Sequence, residues 1–159
     1  MTKFFTTLNA IRAHGPCTDG WKKLLAHLGK TEADDEPLDL LTVLDSNGLD
    51  DALWCLRAVD GCDREIRLYA VWCARQDEHL MTDQRSRDAL DVAERYANGE
   101  ASDAELAAAG AAARAAAGAA ARDAAGGAAR EAAREAAREA AGAAQEARLR
   151  EIIAEARVG

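Results

Sequence analysis

SNGLDDALWCLRAVDGCDREIRLYAVWCARQ, residues 46–76, decides the fold class. Leu49, Ala52, Leu53, Leu56 and Val59 recur at three- and four-residue steps, the spacing of one face of an α-helix. Asn47-Gly48, just ahead of them, ends one helical pattern and opens another rather than turning a hairpin. Beyond Asp60-Gly61 the chain reads DREIRLYAVWCARQDEHLM and is apolar almost all round from Leu68 to Ala74. That pattern predicts a central buried helix. No stretch alternates convincingly with period two, so no paired strands are expected.

Working outward, a first helix is predicted over Lys3–Ala13, stopped by His14-Gly15-Pro16. A second covers Asp19–Leu28 and ends at Gly29, with Trp21, Leu24, Leu25 and Leu28 at helical spacing. Pro37 suits the first turn of a third, Pro37–Ser46, where Asp34, Asp35 and Glu36 would favour a positive helix end. A sixth runs over Asp83–Ala97 to Asn98-Gly99. The expected fold is all-α: a compact bundle of about six helices followed by a long alanine-rich helix or helical hairpin.

The composition shifts after residue 101. Every Trp, Tyr and Phe precedes it, so the core is expected from the first hundred residues. The expected division is therefore a head, 1–101, and an arm, 102–159. Ser102 and Glu105 form a capping box that opens the arm. Alanine, the strongest helix former, then dominates. Arg114, Gly118, Arg122, Gly126, Arg130, Arg134, Arg138 and Gly142 share a four-residue register. Each such step moves the marked position roughly 40° round a helix, which excludes the seam of a left-handed coiled coil. Glu131–Arg134 and Glu135–Arg138 are spaced for i,i+3 ion pairs. Gly126-Gly127 is the natural break, at 126–127, and separates a rod from a hairpin. Near the end Leu149, Ile152 and Ile153 restore an amphipathic stripe, the candidate oligomerisation contact of a homodimer formed through residues 102–159.

A formal charge of −8, nearly all of it before residue 102, argues against general affinity for nucleic acid or anionic membrane and for a basic partner. No run approaches the roughly 20 apolar residues of a membrane span. The start carries no secretory pattern, so cysteines 17, 55, 62 and 73 are expected as reduced thiols of a cytoplasmic protein. Cys55 and Cys73 fall in apolar helices, while Cys62 is expected at an exposed connection among acidic neighbours.

Candidate chemistry is sparse. His14 and Cys17 are metal-ligating types, but no second pair completes a zinc set. DSNGLDD, Asp45–Asp51, lacks the closing glutamate of a calcium loop, whose twelfth position is Leu56. His27 and His79 have no evident catalytic companion, and no phosphate loop, dinucleotide glycine pattern or HExxH occurs. No catalytic residue, cofactor or metal ligand is expected. The exposed acids Asp34, Asp35, Glu36, Asp50 and Asp51 are the candidate partner-binding residues.

Cys17-x3-Trp21, ADDEPL, SNGLDDALWCLRAV, DREIRLYAVWCARQ and ALDVAERYANG, spanning about residues 14–100, resemble a family of small immunity proteins of bacteria and prophages that carry an alanine-rich C-terminal tail. The resemblance implies an α-helical, non-enzymatic protein that binds and blocks a partner protein, a toxin or an antiviral-defence nuclease. The alternative is a structural or scaffolding oligomer assembled through the alanine-rich helix.

Overall fold

The computed structural model describes residues 4–123 and 128–156, with side chains described outside 118–123 and 128–136. Among the described residues eight α-helices account for most of the chain: α1 Leu8–Ala13, α2 Thr18–Leu28, α3 Leu40–Asn47, α4 Leu49–Cys55, α5 Asp63–Gln76, α6 Gln84–Ala97, α7 Asp103–Asp123 and α8 Ala128–Glu155. The all-α class is as expected. Two short strands accompany the helices, β1 Phe5–Thr6 and β2 Leu38–Asp39, paired antiparallel with Phe5 opposite Asp39 and Thr6 opposite Leu38.

This pair corrects the expectation of no strands and shifts two helix starts. Phe-Thr favours extended backbone, and Thr7 supplies an N-cap by accepting the Ala10 amide at 3.0 Å, so α1 begins at Leu8 rather than Lys3. Leu38 is taken by the strand pair, and Asp39 caps the next helix by accepting the Leu41 amide at 2.9 Å. Pro37 therefore precedes α3 by three residues instead of opening it. Helix ends follow the glycines as predicted at Gly29, which is left-handed (φ 65°), and at Gly48 (φ 94°), which both closes α3 and opens α4.

The chain packs as two compact units, and they do not follow the composition boundary at residue 101. One comprises Met1–Cys62 with Glu146–Gly159; the other is Asp63–Gln145. Most of the large buried side chains lie in the first, including Phe4, Leu8, Ile11, Leu40 and Val43. Leu149 and Ile153, each 1% exposed, belong to this unit too, and Ile152 is half-buried. Two of the three expected oligomerisation residues are thus spent inside the chain's own core. The physical reason is that a stripe of Leu and Ile at the end of a helix satisfies any apolar seat within reach. Arg150 reinforces the placement with an ion pair of 2.7 Å to Asp45. Cys62, expected exposed, is wholly buried, as suits a small apolar thiol. Thr6, the one buried polar side chain among the described residues, donates its hydroxyl to the Ala58 carbonyl, which removes the penalty of burial.

The second unit is held differently. Tyr69 and Val71 are buried on α5, but Ala70 is exposed and the rest of Leu68–Ala74 is half-buried, so α5 is not the fully buried helix its sequence predicts. Its companions are too poor in large side chains to cover it all round. Polar cross-links compensate. Arg75 of α5 bridges Asp91 at 2.9 Å and Glu94 at 2.6 Å on α6, and Glu78 at 3.1 Å. Arg67 lies over the Tyr96 ring at 4.7 Å. The Tyr69 hydroxyl donates to the Gln145 carbonyl at 3.0 Å, tying α8 to α5. The expected capping box forms: the Ser102 amide donates to Glu105 at 2.8 Å, and the Glu105 amide to the Ser102 hydroxyl at 3.3 Å. Behind it α7 packs along α6, so its alanines serve close helix approach within this unit. The break at 126–127 and the side chains of Glu131, Arg134 and Glu135 lie outside the described residues.

Truncating Leu149 or Ile153 to Ala should lower stability by about 2–5 kcal/mol in urea denaturation, as for other core deletions. Ile152→Ala should cost less. Changes below about 0.5 kcal/mol at all three would mean that the segment behaves as a solvated surface.

Candidate functional site

The first unit carries a pocket of about 80 Å³ whose walls come from α1, α2, α3, α4 and the turn before α2. Its lining is chiefly apolar: Ile11, Pro16, Trp21, Leu24, Val43, Trp54 and Cys55. Helical spacing explains the wall from α2, since Gly20, Trp21 and Leu24 share one face. Apolar cavities of roughly 150 Å³ admit benzene. A pocket half that size suits an aliphatic side chain rather than an aromatic ligand.

One end of the pocket is polar and highly ordered. Asn47, the last residue of α3, donates its side-chain amide to the Gly20 carbonyl at 2.9 Å and to the Asp51 carboxylate at 2.7 Å. The Ser46 hydroxyl donates to the Asn47 side-chain oxygen at 2.7 Å. Cys17 caps α2, its sulfur accepting the Gly20 amide at 3.4 Å. Gly20 is the residue that lets these groups converge. A Cβ built there would stand 2.7 Å from Asp51 Oδ2, closer than real Cβ atoms approach a neighbour, and 3.0 Å from Cys17 Sγ, tighter than most real contacts. Arg57 stacks over Trp54 at 4.4 Å and covers part of the indole from water.

The carboxylates expected to meet a partner are thus in three different situations. Asp51 is half-buried and committed to Asn47. Asp34 and Glu36 are drawn to the Lys30 ammonium, Glu36 at 2.6 Å, and the hydrogen bond from Lys30 holds the Asp34 carboxyl below its ordinary pKa. They order the loop before β2 instead of capping α3. Asp35 and Asp50 are exposed, and Glu36 remains three-quarters exposed despite its ion pair. Asp50 sits in the first turn of α4, where the helix dipole favours a negative charge.

His14 closes α1 and Cys17 opens α2, so these two metal-ligating residue types flank a helix–helix turn. Among the described residues no group of three or more His, Cys, Asp or Glu side chains could hold a metal ion. Nor is any described helix long and apolar enough to cross a membrane. Burial pushes the Cys55 thiol up to about 11, with the Asp51 charge adding to the effect. In the second unit burial likewise raises Cys73 and Tyr69. These thiols are held protonated and are poor nucleophiles.

Trp54, Asn47 and Gly20 are the pocket residues that sequence reasoning missed. Asn47 was legible only as a helix terminator, though its i,i+4 spacing to Asp51 across Gly48 is the signal that could have revealed the clamp. No family model, curated protein or solved structure matches this chain.

Gly20→Ala tests the convergence. In an ordinary helix interior the change gains about 1 kcal/mol. Here the new methyl displaces Asp51 from Asn47, and a net loss of about 1 kcal/mol is expected in urea denaturation. The Cys55 shift has its own signature. A thiol whose pKa is higher folded than unfolded contributes stability fully present below the unfolded value near 9 and lost as pH rises towards about 11. Denaturant midpoints should therefore fall across that alkaline range, and less steeply in Cys55→Ala.

Proposed function

We propose that this chain is a non-enzymatic inhibitor that binds and occludes a basic partner protein, in the manner the immunity-protein resemblance implies. A toxin or an antiviral-defence nuclease fits, because a nuclease presents a positive groove. The observation that carries the reading is the pairing, on one compact unit, of exposed carboxylates at Asp35, Glu36 and Asp50 with a pre-formed apolar pocket between Trp21 and Trp54. Protein interfaces are commonly anchored by one side chain in a desolvated pocket, with charges around it setting orientation and encounter rate. The net charge of −8 acts in the same direction. Asp34 and Asp51 have structural roles in this scheme. Asp34 fixes the loop that presents Asp35 and Glu36, and Asp51 shapes the pocket's polar end.

The scaffold alternative loses support from the burial of Leu149 and Ile153 in the chain's own unit. Its remaining observation is the length of α7 and α8.

Immobilised full-length protein should retain a stoichiometric basic partner from host lysate. The triple variant Asp35→Lys, Glu36→Lys, Asp50→Lys should keep the wild-type melting temperature and bind that partner at least about tenfold more weakly at low salt, chiefly through slower association. Trp54→Ala should instead speed dissociation. Unchanged affinity in both variants would refute the assignment.

A further inference from the structure

The polar end of the pocket carries a charge that no described residue neutralises. Among the described residues Asp51 is the one charged side chain that lines the pocket. Its carboxylate accepts a hydrogen bond from the Asn47 amide at 2.7 Å, and no described Lys, Arg or His side chain pairs with it. The amide is neutral and engages Oδ2 alone, one of two oxygens that together offer roughly four acceptor sites. It orients the carboxylate without cancelling its charge. A half-buried carboxylate in this state attracts a cation more strongly than an open surface acid does, because water screens it less.

The walls suit the same ligand. Trp21 and Trp54 both line the pocket, and an indole attracts an ammonium group through its quadrupole while covering methylenes from water. Arg57 stacks over Trp54 but does not line the pocket, so it is not the occupant. Ile11, Leu24 and Val43 add aliphatic surface. The volume of about 80 Å³ admits a slim unbranched stem. Lysine brings such a stem and a compact charge, whereas arginine brings a broad planar head.

We infer that this pocket receives a lysine side chain of the partner protein, its stem against the two indoles and its ammonium on the Asp51 carboxylate. The source of the lysine rests on the inhibitor reading above; the preference for lysine is a property of this chain alone. Asp51 thereby gains a role beyond shaping the pocket's polar end. The exposed acids Asp35, Glu36 and Asp50 govern approach, and Asp51 selects the residue that anchors.

Small probes test the preference on the full chain. Isotope-labelled protein is titrated with Nα-acetyl-lysine methylamide and with its norleucine counterpart, which keeps the four-carbon stem and lacks the charge. The indole N–H resonances of Trp21 and Trp54 should shift saturably with the lysine compound, while Trp72, in the other unit, stays in place as an internal control. The lysine compound should bind at least about tenfold more tightly than the norleucine one, the effect of a hydrogen bond to a charged group. The arginine counterpart should bind more weakly than lysine. Asp51→Asn keeps an acceptor for Asn47 and should bring the lysine and norleucine affinities within about twofold of each other. No shift at either indole, equal binding of the lysine and norleucine compounds by the wild type, tighter binding of the arginine compound, or a lysine preference that survives in Asp51→Asn would each overturn the proposal. The wild-type comparison decides it where that variant does not fold. Lysine selectivity with no basic partner retained from lysate would keep the pocket assignment and remove the inhibitor reading. Loss of partner binding in the triple lysine variant, with no lysine selectivity in the pocket, would do the reverse.

Discussion

The N-terminal unit depends on one long-range closure. Phe4, Leu8, Ile11 and the α3 residues Leu40 and Leu44 are buried in one unit with Leu149 and Ile153, which come from more than a hundred residues further along the chain. Hydrophobic burial is non-directional, so the strongest remaining apolar stripe in the sequence goes to the seat that removes most of its surface from water. The Asp45–Arg150 pair then adds registry more than energy, being largely solvent-exposed. Around this closure the small β1–β2 pair and the Thr6–Ala58 hydrogen bond tie the chain start to its middle.

The pocket follows from the same packing. α2 and α4 are brought together at Gly20, where the absence of a side chain lets Asp51, Asn47 and Cys17 converge. A rigid polar end and apolar walls result, which pre-organise a concave surface before any partner arrives. Pre-organisation matters for any binding surface, since ordering loops and side chains at the moment of binding subtracts from affinity. The exposed acids lie on elements already held by their own caps and ion pairs, such as Lys30 with Asp34 and Glu36.

The alanine-rich helices are less of an appendage than their composition implies. α7 packs along α6, and α8 is tied to α5 by the Tyr69 hydroxyl before its last turns join the other unit. Small side chains bury little area each, and the second unit accordingly relies on the Arg75 cluster and the Arg67–Tyr96 stack. These partly exposed cross-links contribute modestly one by one and more by fixing which helix faces meet.

What the sequence by itself determined is local. Helical class, the stops at Gly29 and Gly48, and the Ser102–Glu105 box are set by side chains within four residues of one another, so pattern and propensity suffice. The apolar spacing of α2 likewise marked Trp21 and Leu24, which wall the pocket, whereas the α4 stripe from Leu49 to Val59 lies off the pocket face that carries Trp54 and Cys55. Tertiary structure alone decided which distant residues meet. Lys30 rather than a helix end received Asp34 and Glu36, Asn47 rather than solvent received Asp51, and the core rather than a second chain received Leu149 and Ile153 in the monomer. An acid or a leucine reads the same in sequence whether it faces water or a partner. Its fate is fixed by the desolvation and pairing available at the place where the folded chain puts it.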